Sequence, residues 1–159
     1  LVVVVSNQPG IARGRFTVRV LKNVERKLMS QLAKAGAWID ASYYCLHHPE
    51  ARVKRLRKRC ACRKPGIGML KAAARQFGLS LKDCYMVGDN ITDIATGRRA
   101  GCKTIFIGRW KCELCQLAGD ADNRPDFVAR DLWSAARIIR EQSLSAATLP
   151  PRSHRAPIK

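Results

Sequence analysis

Tyr85-Met86-Val87-Gly88-Asp89-Asn90-Ile91-Thr92-Asp93 is the stretch that sets the architecture. Its apolar opening, within Asp83 to Val87, predicts a short strand that ends in Gly88-Asp89-Asn90. Thr92 to Ala100 then reads as a helix closed by Gly101, and Lys103 to Ile107 as a second strand. Strand, helix and strand in that order form a crossover unit, which makes the two strands parallel.

On both sides of this unit the same alternation continues. Toward the C-terminus a polar loop over 108–125 leads to a strand at Asp126 to Ala129 and a helix at Leu132 to Glu141. Residues 143–159 carry three Pro with Ser and basic residues and no periodicity, so a disordered tail is expected. Toward the N-terminus a helix is expected over Gly66 to Phe77, closed by Gly78, and before it a loop over 45–65 rich in Cys, His and Arg. Ala37 to Tyr44 reads as a strand ending at Cys45. Thr17 caps a helix over 18–35, with Val20, Val24, Leu28, Leu32 and Ala35 on one face and Gly36 at its end. Leu1 to Val5 reads as a fully buried parallel strand entering the loop Ser6-Asn7-Gln8-Pro9-Gly10. The expected fold class is α/β, a parallel sheet flanked by helices, with one domain over residues 1–142 and the tail beyond it.

Composition bounds the function. The chain has 159 residues, 47% hydrophobic, enough to bury a core. Its longest purely apolar run, Leu1 to Val5, is far short of the roughly 20 residues that span a bilayer. With 30 Lys+Arg against 12 Asp+Glu the net charge is +18, which points to anionic partners: phosphorylated substrates, nucleic acid or acidic surfaces. Seven Cys is an odd count in a chain with a normal core, which argues against a disulfide scaffold and for a reducing, cytoplasmic setting. Cys84 and Cys102 stand singly in apolar context, as small core residues do. The rest cluster.

Four constellations carry chemistry. Cys45-x-His47 and Cys60-x-Cys62, twelve residues apart, supply three thiolates and an imidazole, the tetrahedral set that Zn²⁺ prefers. All four positions would be filled, so such a zinc is structural; the alternative is scattered thiols with His48 solvated. In Gly88-Asp89-Asn90-Ile91-Thr92-Asp93, Asp89 at a strand's carboxyl end suits Mg²⁺, and Asp93 either braces that site or caps the helix. The alternative is an ordinary N-cap. Arg63-Lys64-Pro65 comes directly after the second Cys pair, where two fixed cations would neutralise a phosphoryl group; the alternative is a solvated basic turn. Ser6 and Asn7 offer a hydroxyl and backbone N–H groups to phosphate oxygens, or make a plain turn. Cys112-x-x-Cys115 lacks two further ligands nearby and reads as loop thiols without a role.

The order of these segments is more specific than any one of them. A strand ending in hydrophobic residues and Ser-Asn, then Arg-Lys-Pro, then a strand ending in GDxxxD resembles the second, third and fourth motifs of the haloacid dehalogenase (HAD) superfamily of phosphatases. Within it, VVVSNQPGIARGRFT, YYCLHHPE, CACRKPGIGML and YMVGDNITDIATGRRAGCKTI are similar to the heptose-1,7-bisphosphate phosphatase family over roughly residues 1–141. The histidinol-phosphate phosphatases share the zinc motif with a shorter loop, so they are the alternative. The resemblance implies a HAD-like sheet and a Mg²⁺-dependent phosphatase of carbohydrate metabolism that supplies lipopolysaccharide precursors. It implies a phosphorylated sugar as substrate and a monomer with no membrane contact. Ser6 and Asn7 would hold phosphate, Lys64 would stabilise the phosphoryl group, and Arg63 and the loop around Arg13 would contact substrate. Asp89 would ligate Mg²⁺ with Asp93 in support.

The resemblance also implies a first motif, DxDGT, carrying an aspartate nucleophile and an acid/base aspartate. No strand here ends in one; Asp120-Ala121-Asp122 has the spacing but sits in a late polar loop. The strand bearing that motif would lie between the strand of residues 1–5 and that of residues 84–87. The expectation is therefore a chain that lacks this strand upstream of Leu1, and that is inactive and poorly stable by itself. Two other classes stand beside it. A zinc-stabilised nucleic-acid-binding module would account for the charge but lacks an aromatic stacking platform. A degenerate, non-catalytic HAD domain is the other.

Overall fold

A computed structural model describes residues 1–108 and 124–147. Its elements in chain order are β1 (Val3–Asn7), α1 (Pro9–Ala12), α2 (Val18–Lys34), β2 (Ala41–Cys45), α3 (Gly68–Phe77), β3 (Tyr85–Gly88), α4 (Ile91–Ala100), β4 (Lys103–Ile107), β5 (Phe127–Ala129) and α5 (Leu132–Ala147). Short 3₁₀ turns at Lys54–Leu56 and Leu81–Asp83 complete the described chain. All strand pairs are parallel. β1 pairs with β2 from Val3 opposite Ala41 to Asn7 opposite Cys45. β3 pairs with β4, and β4 with β5. The result is two sheets, in the orders β1-β2 and β3-β4-β5.

The second sheet holds the better-packed core. Ile105, Ala129 and Ala135 are buried together beneath Tyr85, Val87, Phe127, Ile138 and Ile139, and Ile94 of α4 packs on Phe106. Thr104 is fully buried, and its hydroxyl donates to Asp126 Oδ2 (2.8 Å) and accepts from the Asp126 N–H (3.0 Å). This closes β4 onto the start of β5. α3 packs against β1 and β2, and α4 against β3 and β4. Gly101 ends α4 at φ 78°, a left-handed position that a glycine takes without a Cβ penalty.

Three expectations need correction. Leu1 to Val5 is not a fully buried strand. Leu1 and Val2 are exposed, and Val3–Asn7 are half-buried, because β1 has a single neighbour among the described strands. The stripe Val20, Val24 and Leu28 of α2 does not face the core either; these residues are 45%, 60% and 39% exposed, and Leu21 is the buried residue of the helix. Periodicity marks the helix correctly, but it cannot say which layer lies over its apolar side. The last helix, expected to stop at Glu141, runs on to Ala147 and takes in the start of the expected tail. Cys102 is buried, whereas Cys84 is half-buried with its thiol on the Ser80 carbonyl (3.2 Å). Cys112, Cys115, Asp120 and Asp122 lie outside the described residues, as does the chain beyond 147.

Candidate active site

In parallel sheets, ligands gather where strands end. At the carboxyl end of β1 and β2 the Gln8 N–H donates to the Cys45 carbonyl (2.8 Å) and extends their ladder by one step. Just beyond it Cys45, His47, Cys60 and Cys62 converge, their ligand atoms all within 4.8 Å of one another. The sulfurs stand 3.6 Å (Cys45–Cys60), 3.2 Å (Cys45–Cys62) and 3.1 Å (Cys60–Cys62) apart, and His47 Nδ1 lies 3.4 Å from the Cys62 sulfur. A tetrahedral zinc with Zn–S bonds of about 2.3 Å would set sulfurs roughly 3.8 Å apart, so the donor set fits with a slight expansion.

Protonation agrees with this. Burial and the two adjacent sulfurs push the Cys62 thiol up to about 12, and burial raises Cys45. Burial opposes ionisation of Cys60 too, but hydrogen bonds from Cys62, the Arg63 backbone and Cys45 outweigh it and lower its pKa. Burial and then the Lys58 charge hold His47 below its usual value, so its ring is neutral and able to ligate near neutral pH. Three crowded thiols of this kind are poor acids until a cation replaces their protons.

The cluster anchors the segment immediately after it. Arg63 donates to the His47 carbonyl (3.3 Å). The Asn7 side chain clamps the Lys64 peptide from both sides: its Nδ2 donates to the Lys64 carbonyl (3.1 Å), and its Oδ1 accepts the Lys64 N–H (3.0 Å). The amide named for phosphate binding is therefore largely spent on placing Lys64. Ser6 Oγ accepts from Gln8 Nε2 (3.1 Å), which leaves its own O–H free to donate.

Lys64 itself joins the two sheets. Its ammonium donates to the Val5 carbonyl of β1 (2.8 Å) and pairs with Asp93 Oδ1 of α4 (2.5 Å). The two side chains are 12% and 7% exposed, so the pair is shielded from solvent. Arg99 of α4 reaches the Pro65 carbonyl (3.4 Å) and ties the same segment to the second sheet. Asp93 also accepts the Asn90 N–H (3.2 Å) in a reciprocal capping box, so it both braces Lys64 and caps α4. Gly88 permits this closeness, since a Cβ there would overlap the Asp93 carboxylate.

Asp89 differs from Asp93. It is exposed at the end of β3 and makes no hydrogen bond or ion pair with a described residue. A free carboxylate oxygen beside a fixed lysine is the kind of donor that hard divalent ions take. Arg13, just past α1, approaches His48 Nε2 with its Nη2 at 3.2 Å. Sequence alone leaves His48 solvated, yet it is 8% exposed, and the His47-His48 doublet is the only local signal of it. An open groove of about 540 Å³ along α2, lined by Val18, Arg19, Lys22, Asn23, Glu25 and Arg26, contains none of these residues.

Known proteins share this arrangement. The HAD-hydrolase-like family model matches residues 61–135. The D-glycero-beta-D-manno-heptose-1,7-bisphosphate 7-phosphatase of Escherichia coli K12 is 34% identical over 144 residues, 91% of this chain and 74% of that protein. The enzyme of the same name from Yersinia pestis is 38% identical over 138 residues, covering 87% and 72%. Among solved structures, the D,D-heptose 1,7-bisphosphate phosphatase of B. bronchiseptica, complexed with magnesium and phosphate, superposes with a TM-score of 0.75 at 30% identity, covering 88% of this chain and 74% of that one.

Proposed function

The chain belongs to the HAD-type phosphatase family, and we propose that it hydrolyses a phosphomonoester of D-glycero-D-manno-heptose 1,7-bisphosphate in a Mg²⁺-dependent reaction. The observation that carries the reading is Lys64, fixed by Asn7, Val5 and Asp93 where the two sheets meet. An ammonium held in this way neutralises phosphoryl oxygens without having to reorganise as charge develops. The Ser6 hydroxyl donates to a second phosphate oxygen, and Arg63 and Arg13 face the sugar phosphate. Asp89 holds Mg²⁺, which when bound supplies charge neutralisation at the transferring phosphoryl group. Asp93 keeps Lys64 in place rather than ligating metal. Cys45, His47, Cys60 and Cys62 hold Zn²⁺ with no open position, so its part is to fold the loop that carries Arg63 and Lys64.

The reaction also needs a carboxylate nucleophile and an acid/base partner. We assign both to a strand outside the described residues that pairs with the open sides of β1 and β3, each of which has one strand neighbour here. In that arrangement the nucleophile forms a phospho-aspartate, and the second aspartate protonates the leaving oxygen and then activates water. The 159 residues by themselves are then inactive. The setting is cytoplasmic, in supply of lipopolysaccharide precursors, and the active form is a monomer. No helix among the described residues is long and apolar enough to cross a membrane.

The test is a phosphate-release assay on the complete gene product with Mg²⁺, comparing heptose 1,7-bisphosphate with histidinol phosphate. A higher kcat/KM for the heptose substrate, lost in Lys64→Met, supports the proposal. A preference for histidinol phosphate overturns the substrate assignment. Tight oligonucleotide binding with a steep salt slope and no turnover would favour a nucleic-acid module instead.

A further inference from the structure

His48 is surrounded by more donors than it can accept. The Glu50 N–H donates to its Nδ1 (3.1 Å), while the Arg13 guanidinium stands 3.2 Å from its Nε2. A neutral imidazole has one acceptor nitrogen, and a guanidinium has donors only. With Nδ1 taken by Glu50, Nε2 carries a proton and faces another donor. In the other tautomer the Glu50 N–H loses its partner, and a charged ring accepts nothing. Each state of the ring therefore leaves one donor surplus, at a side chain only 8% exposed. A buried unpaired donor costs about 1–3 kcal/mol.

No protein group meets this surplus. Among the described residues, none of Arg13, Arg57 and Arg63 has a carboxylate partner. The pair is also held firmly in position. The Ala12 carbonyl accepts the Val53 N–H (3.0 Å), the His48 N–H reaches the Leu56 carbonyl (3.1 Å), and Arg57 Nε donates to the Ala51 carbonyl (2.7 Å). Arg13 comes after β1 and His48 after β2, so the donors stand at the same strand ends as Lys64.

We propose that Arg13 and His48 form an anion site that takes one phosphate oxygen between them, with His48 as an unassigned ligand-binding residue. A phosphate oxygen has lone pairs for both donors, and its charge relieves the guanidinium. A phosphorylated substrate with an oxyanion placed there would be oriented by the pair while another phosphoryl group lies at Lys64. This deepens the phosphatase reading above and rests on it for the identity of the ligand, though not for the site itself.

The experiment uses the zinc-loaded chain and inorganic phosphate as probe, followed by histidine side-chain ¹H–¹⁵N NMR and calorimetry. The expected result is an Nε2–H tautomer for His48 whose resonance moves on phosphate addition and still moves in Lys64→Met, where the other phosphate contact is gone. Arg13→Met and His48→Phe should each weaken this site about tenfold, as loss of a charge-assisted bond does. His48→Gln, which keeps a donor, should restore most of the affinity. A His48 resonance indifferent to phosphate, or unchanged affinity in Arg13→Met, overturns the proposal; if His48→Phe fails to bind zinc, exposed Arg13 carries the test. Heptose 1,7-bisphosphate is then titrated in parallel. Binding no tighter than inorganic phosphate, with the His48 response intact, sinks the sugar assignment and leaves the site standing. Tight binding indifferent to both substitutions does the reverse.

Discussion

Removing the Asp93 carboxylate isolates the bond that joins the two sheets. Asp93→Ala leaves the Lys64 ammonium shielded, with Val5 O as its remaining partner, and deletes one arm of the α4 capping box. Breaking one side of a buried ion pair costs about 3–5 kcal/mol. The lower end, about 3, applies here because the Val5 carbonyl still accepts from the ammonium. Loss of the cap adds about 1 kcal/mol, for a total of roughly 4. Asp93→Asn keeps an acceptor for the Asn90 N–H and a neutral one for Lys64, so roughly 2 kcal/mol is expected. With a urea m-value of about 2 kcal/mol per molar, the midpoint should fall by about 2 M for Ala and about 1 M for Asn. A Lys64→Met background sharpens the test. Without the cation Asp93→Ala should cost little beyond the cap, giving a coupling of about 2–3 kcal/mol in the double-mutant cycle. Equal cost in both backgrounds would refute the reasoning, because the pair would then contribute nothing. All four proteins are compared with zinc in excess, so that metal loss is not mistaken for the effect.

Zinc binding at the Cys/His cluster should release about two to three protons near neutral pH, since burial raises Cys45 and holds Cys62 at about 12 in the metal-free chain. Affinity therefore climbs with pH, and calorimetry in two buffers of different ionisation enthalpy reads the proton count; zero release would mean that the thiols are not the ligands. Chelation should lower the thermal midpoint, as followed by circular dichroism. Gly88→Ala forces a Cβ into the Asp93 carboxylate and should cost about 1–3 kcal/mol in urea unfolding. Thr104→Val is nearly isosteric but strips the buried hydroxyl of both its Asp126 bonds; a loss of about 1–2 kcal/mol is expected from the same measurement.

What the sequence discloses depends on how local the signal is. The GDxxxD turn, the caps at Thr17 and Asn90 and the glycine ends of α3 and α4 are short-range chemistry, and the helices begin or end where those residues fall. The Cys/His set is also legible, because two short chelating pairs need little beyond a loop between them. The orientation of α2 is not, since the burial of Val20, Val24 and Leu28 depends on what lies over them and not on their spacing. Asn7 and Asp93 show the same limit within the site. Each stands out in sequence as a residue that could meet ligand or metal, yet the folded chain commits Asn7 to the Lys64 peptide and Asp93 to the Lys64 ammonium. The partner in both cases is a residue far away in sequence, which no local pattern reveals. His48 escapes notice for that reason too: its environment comes from Arg13, 35 positions earlier.

The charge excess divides along the same line. Between residues 51 and 64 the chain carries Arg52, Lys54, Arg55, Arg57, Lys58, Arg59, Arg63 and Lys64 with no acidic residue among them. Sequence treats these eight cations alike, but burial separates them. The first six are exposed, and Arg63 and Lys64 are partly buried. Exposed cations are screened over a Debye length of about 8 Å at physiological salt, so they can draw an anion in without holding it in one orientation. Arg63 and Lys64 lie where the metal-binding cysteines, Asn7 and Asp93 restrict their motion, and that restriction is what makes a cation useful against a phosphoryl group. The fold thus turns a general affinity for anions into two fixed charges by placing Cys60 and Cys62 immediately before them.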